Sequence, residues 1–136
     1  TPLITFIIPT YNTPPHLLHQ CVESILALDL CSTERQIILV DDGSTIPAIT
    51  QVPPHIAPHI TSIRLPQNQG LAAARNAAIP QATGTYIQFI DADDALLVHP
   101  YNALLQQLRG GWAWAWRVSG VETCMAMRLV RFFKKT

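Results

Sequence analysis

The chain has 136 residues, of which 49% are apolar and 13% charged, with nine acids balancing nine bases. That length suffices for one domain with a real core. No apolar run approaches 18 residues, which excludes a transmembrane helix and points to a soluble globular protein.

Leu3 to Ile8 (LITFII) is a continuous apolar run before Pro9, as in a strand buried on both faces. After Pro14-Pro15, apolar residues recur at helical spacing (Leu17, Leu18, Cys21, Val22, Ile25, Leu26), predicting an amphipathic helix to about Leu28. Gln36 to Val40 (QIILV) reads as a second buried strand that runs straight into Asp41-Asp42-Gly43-Ser44. The Pro-rich residues 47–58 read as a loop with at most a turn of helix. Ile60 to Leu65 is a third strand, and Gly70 to Ala78 (GLAAARNAA) a helix ended or kinked by Pro80. Tyr86 to Ile90 is a fourth strand, followed by Asp91-Ala92-Asp93-Asp94, and Tyr101 to Leu108 is a further helix. Buried strands alternating with helices predict an α/β fold: a Rossmann-like, mostly parallel sheet flanked by helices.

The neutral total hides an asymmetry. Residues 1–108 hold eight acids against three bases, and residues 109–136 hold six bases against Glu122 alone. This shift divides the chain into residues 1–109 and a basic, Trp-rich tail, 110–136. In the tail Trp112, Trp114 and Trp116 alternate as they would on one face of a strand, and Met125 to Lys135 reads as a basic amphipathic helix, either packed or lying on an anionic membrane surface. Cys21, Cys31 and Cys124 are odd in number and form no CxxC, which favours reduced thiols in the cytoplasm over a disulfide scaffold or zinc site. The chain starts at Thr1 with no signal peptide ahead of its first strand, as a trimmed fragment would.

Three of nine acids fall within four positions, at Asp91, Asp93 and Asp94. Two like charges about 4 Å apart repel by roughly 4 kcal/mol at an effective dielectric near 20, so water, a basic group, a proton or a cation must offset the cost. Ligands of parallel α/β sheets bind beyond the carboxyl ends of the strands, where the first, second and fourth strands all place polar groups. No GxGxxG or GxxxxGK[ST] is present to cradle phosphate. A divalent ion could instead link carboxylates to a diphosphate. The bland readings stand beside this one: the aspartates could cap a helix, Asp42-Gly43-Ser44 could be an ordinary turn, and Tyr11 could fill a crevice. Arg75 has two readings, phosphate binding or pairing with a strand-end aspartate.

The segments ITFIIPTYN, IILVDDGST, NQGLAAARNAA and GTYIQFIDADD, in this order over residues 2–108, resemble those of family 2 glycosyltransferases with the GT-A fold. The resemblance implies transfer of a sugar from a nucleotide diphosphate, a UDP-sugar in the favoured reading, to an acceptor hydroxyl. Inversion and a Mn²⁺ or Mg²⁺ ion come with it. It also implies the sites. Pro9, Thr10, Tyr11 and Asn12 would border the nucleoside, Asp42 would bond the base with Asp41 beside it, and Asn68, Gly70 and Arg75 would close the nucleotide side. Asp91, Ala92 and Asp93 form the DxD, with Asp93 and Asp94 as metal ligands. The expected acceptor is a glycan or lipid-linked saccharide in cell-surface polysaccharide or glycoconjugate synthesis. A cytoplasmic setting is expected, at the inner face of the membrane if the basic tail touches it, and no nucleic-acid partner. The family's acceptor half and its carboxylate base lie well beyond the DxD. Here Glu122 is the sole acid after Asp94 and so the sole candidate base, and the tail departs from the pattern. The alternatives are a truncated piece that binds nucleotide diphosphate without catalysis, and a phosphatase of the haloacid dehalogenase kind, since FIDAD also reads as strand followed by D-x-D.

Overall fold

The computed structural model describes residues 1–110 and, from the tail, the backbone of strands 114–118, 121–125 and 131–135. The first apolar run becomes β1 (Ile4–Thr10), buried at all seven positions. It continues two residues past the predicted end, through Pro9, for a reason that lies in the sheet. The Ile7 carbonyl accepts from Ile90 N at 3.1 Å, and the Thr10 carbonyl accepts from Asp42 N at 2.9 Å. Alternation therefore points the Pro9 nitrogen to the side of Ile7, where the neighbouring strand has already ended, so its missing N–H breaks no ladder bond.

Helix α1 (Pro15–Leu26) starts with Pro15 in its first turn, where no intrahelical donor is lost, and buries Leu18, Cys21, Val22 and Ile25. Strand β2 (Arg35–Asp41) follows, then short 3₁₀ turns at Ala48–Gln51 and Ala57–His59, and β3 (Ile60–Arg64). Helix α2 (Leu71–Ala78) passes into a 3₁₀ turn that holds Pro80, and β4 (Tyr86–Phe89) follows it. Helix α3 (Val98–Arg109) begins three residues before its predicted start. Pro100 lies in its first turn, where its ring costs no hydrogen bond.

The first four strands are parallel, in the order β3-β2-β1-β4. Ile4, Phe6 and Ile8 of β1 face α1 and α3, and Ile7 faces α2 with Ile38, Val40, Ala74 and Ala78. Helices thus cover both sheet faces, as the continuous apolar strands require.

The tail adds β5 (Trp114–Val118), β6 (Val121–Met125) and β7 (Arg131–Lys135), joined antiparallel, with β7 paired to β4 through Tyr86–Lys134 and Ile87–Phe133. Trp114 and Trp116 lie in a strand as expected; Trp112 falls outside the described residues. The helix predicted over Met125 to Lys135 is corrected at Met125 and at residues 131–135, which are strand, and residues 126–130 lie outside the described residues. The open edge of β4 offers backbone partners that a helix could not use. Among the described residues no helix is long and apolar enough to cross a membrane.

Candidate functional site

The parallel register sets Thr10 opposite Asp41 and Ile7 opposite Phe89, so the polar stretches after β1, β2 and β4 leave the sheet at one edge. The predicted convergence is present. Loops after β1 and β2 are stapled together: Asn12 N donates to Ser44 Oγ and Thr45 N donates to Asn12 Oδ1, both at 2.9 Å. Asn12 takes a left-handed φ of 49°, which Asn tolerates better than most residues.

The adjacent aspartates do different work. Asp41 is buried, accepting Ser44 N on Oδ1 and Ala48 N on Oδ2, both at 2.8 Å. Burial pushes its carboxyl up, but the Ser44 and Ala48 hydrogen bonds and the Arg64 charge outweigh this, so its pKa lies below the ordinary 3.8. Asp41 thus organises the loop from Ser44 to Ala48 and does not line the cleft described next. A depressed carboxyl contributes stability above its unfolded value, lost as pH falls through the folded one. Asp41→Asn, which sets an NH₂ against a backbone N–H, should cost about 1–3 kcal/mol near neutrality. In urea unfolding between pH 7 and pH 3, the gap between parent and variant should narrow below the ordinary value of 3.8.

Asp42 is also buried, but it bridges segments: Oδ1 accepts Gln69 N at 2.7 Å and Oδ2 accepts Gly70 N at 2.9 Å. Its carboxylate therefore ties the second loop to the chain just ahead of α2. Each oxygen keeps accepting capacity. Beside it opens a cleft of about 180 Å³, lined by Pro9, Thr10 and Tyr11 from the first loop, Asp42 from the second, and Asn68, Gly70, Leu71 and Ala74 at the start of α2. Ligand pockets generally begin near roughly 300 Å³, so this cleft suits one ring of a larger ligand. Tyr11 is half exposed at its rim. Leu71 and Ala74 were not predicted; their signal is an apolar residue at the first helical position after Gly70 and another one turn on.

Beyond β4 the chain turns back on itself, Asp94 N donating to Asp91 O at 3.0 Å. This turn brings carboxylate oxygens of Asp91, Asp93 and Asp94 within 4.8 Å of one another, all exposed, while Ala92 buries its methyl group in the core and anchors the turn. Ligands about 2.1 Å from an octahedral ion lie at most about 4.2 Å apart, so a small closure of exposed side chains would complete the set. An all-oxygen donor set of this charge fits a hard cation such as Mg²⁺ or Mn²⁺. Behind the turn, Cys21 Sγ donates to Asp91 O at 3.7 Å. Burial, then the negative charges of Asp94, Asp91 and Asp93, push this thiol up to about 12, so it stays protonated. Arg75 takes the pairing role: its Nη2 lies 3.7 Å from Asp91 Oδ1, and its guanidinium sits over the Phe89 ring at 5.2 Å. Glu122 lies in β6, and its side chain is outside the described residues.

A family model described as glycosyl transferase family 2 matches residues 5–119. The chain is 40% identical over 109 residues to the uncharacterized glycosyltransferase EpsJ of Bacillus subtilis, covering 79% of this chain and 29% of that protein. It is 33% identical over 109 residues to chondroitin synthase of Escherichia coli, covering 79% of this chain and 16% of that one. Among solved structures, the mannosyltransferase PcManGT of Pyrobaculum calidifontis, in complex with GDP-Man and Mn²⁺, superimposes with a TM-score of 0.65 at 29% identity, over 76% of this chain and 30% of its own. The chain thus spans about a third or less of the length of each.

Proposed function

Because the chain belongs to glycosyl transferase family 2, we propose that residues 1–109 form the donor-binding domain of an inverting enzyme that moves a sugar from a nucleotide diphosphate to an acceptor hydroxyl. The observation that supports this most is the shared sheet edge, which sets a ring-sized cleft and a three-carboxylate turn side by side. In this reading the base enters the cleft against Tyr11 and Leu71, where Asp42 has accepting capacity for a base N–H. Asn68 and Gly70 bound its far side. The small cleft favours a single-ring base, hence a UDP-sugar. Asp93 and Asp94, with Asp91, would hold Mn²⁺ or Mg²⁺, in keeping with the Mn²⁺ named for PcManGT. When bound, such an ion acts as a Lewis acid on the departing diphosphate.

The chain's own groups bear on the reaction in three ways. Asp42 spends one bond of each oxygen on Gln69 N and Gly70 N ahead of α2, and in this reading diphosphate charge is met through a cation at the acidic turn and by Arg75. The apolar packing beneath Ala92 and Cys21 keeps the turn from shifting as its charge changes. Deprotonation of the acceptor calls for a general base, for which Glu122 remains the candidate within this chain. The relationship to a chondroitin synthase supports a saccharide acceptor in polysaccharide synthesis. The phosphatase alternative rests on the D-x-D alone, and family membership takes precedence over it.

Calorimetry with UDP, GDP and inorganic diphosphate, each with and without Mn²⁺, tests the reading. UDP should bind at least about tenfold more tightly with Mn²⁺ than without, as expected of a charge-assisted contact, and more tightly than inorganic diphosphate. Failure of both nucleotides to bind in the presence of Mn²⁺ would refute it. A donor-hydrolysis assay on the same samples separates a transferase from a piece that binds nucleotide without turnover.

A further inference from the structure

Residues 1–110 contain four basic side chains, Arg35, Arg64, Arg75 and Arg109, and no lysine. Three are committed away from the acidic turn. Arg35 donates to the Leu26 and Leu30 carbonyls, Arg64 to the Ser44 carbonyl, and Arg109 to the Asp29 carbonyl and the Glu34 carboxylate. Arg75 is left, and its bond to the turn is loose. The 3.7 Å separation from Asp91 is ion-pair range but longer than a hydrogen bond. Its Nε is buried with no acceptor. A guanidinium with one long contact and one unpaired N–H is held by charge attraction to Asp91 more than by directed bonds, and it lies over the Phe89 ring.

We propose that Arg75 is a tethered stand-in for the divalent cation: without metal it offsets the repulsion among Asp91, Asp93 and Asp94, and an incoming ion must displace it from Asp91. This rests on the cation-and-diphosphate reading above. The displaced guanidinium stays hinged over Phe89 at the same sheet edge, where it can meet the negative charge of a diphosphate. Arg75 therefore opposes binding of the cation alone and favours binding of cation and diphosphate together. A residue that only supported the fold would not act with opposite signs on the two.

The test is Mn²⁺ binding to the 136-residue chain, followed by the electron paramagnetic resonance signal of free Mn²⁺, with and without UDP. Parent, Arg75→Met and Arg75→Lys are compared, methionine keeping an apolar side chain of similar reach and lysine keeping the charge. A unit positive charge about 6 Å from a divalent ion is worth up to about tenfold in affinity in water, less when screened. Arg75→Met should therefore bind Mn²⁺ alone about three- to tenfold more tightly than the parent, and Arg75→Lys should stay within about twofold of it. The tightening of Mn²⁺ binding produced by UDP should fall by roughly tenfold in Arg75→Met. Equal or weaker binding of Mn²⁺ alone by Arg75→Met overturns the proposal while leaving the cation reading intact. A parent that binds no Mn²⁺ at millimolar concentration overturns both. Should Arg75→Met fail to show a cooperative thermal transition, Arg75→Gln against Arg75→Lys carries the same contrast.

Discussion

Asp93→Ala should weaken Mn²⁺-assisted binding of UDP by roughly 100-fold, about 2.8 kcal/mol, while leaving the fold intact. Even at the dielectric of water, a carboxylate charge about 2.1 Å from a divalent ion attracts it by about 4 kcal/mol. Desolvation of the carboxylate reduces that, so losing one of three ligands costs some two orders of magnitude without abolishing the site. The effect on stability should have the opposite sign. Asp93 is exposed, and its removal relieves like-charge repulsion in the metal-free turn. A change between zero and about 1 kcal/mol in favour of the folded state is expected. Calorimetry and a thermal melt on one preparation read both signs. Unchanged affinity for UDP with Mn²⁺ would show that the cation is held elsewhere.

Gly43→Ala should be the most damaging single-carbon change in the described residues, because two independent constraints meet there. Gly43 has φ of 76°, where an alanine is strained, and an added Cβ would lie 2.5 Å from Gln67 C and 2.6 Å from Asn68 N. These are backbone atoms, so relief requires moving the loop that Asp42 clamps at Gln69 and Gly70. Left-handed strain and overpacking together give about 2–4 kcal/mol, or a fall in melting temperature of about 5–15 °C for a chain of this size. Because the displaced segment carries Asn68 and Gly70, UDP affinity should fall as well, while Mn²⁺ binding at the turn beyond β4 should hold. Loss of stability without loss of UDP affinity would mean that the 67–70 segment does not form the wall of a nucleoside site.

The predicted elements differ from the observed ones mainly where a proline stands. β1 runs through Pro9 and α3 begins before Pro100, because in both places the missing N–H faces no partner, a fact of sheet edge and helix turn rather than of local composition. The tail misleads for a related reason. RLVRFFKK has an amphipathic pattern by itself, yet residues 131–135 meet the free edge of β4 and pair as strand. Among the site residues, the acids at strand ends are legible because a buried strand that runs straight into charge must be leaving the core at that point. The division of labour between Asp41 and Asp42 is not. Alternation sends neighbouring side chains to opposite sides, and only the loops waiting on each side decide that Asp41 serves the chain from Ser44 to Ala48 and Asp42 the chain at Gln69 and Gly70.

Periodicities within a few residues are enough to set the alternation of buried strands and helices and the gathering of polar groups at one end of the sheet, so both can be read from the amino-acid order without coordinates. Packing between distant segments settles which carboxylates are spent on backbone donors, which stand free at the turn, and which arginine faces them. Those outcomes depend on hydrogen bonds and charge pairs across long stretches of chain, such as the 28 positions that separate Asp42 from Gly70, and no local pattern encodes such a meeting.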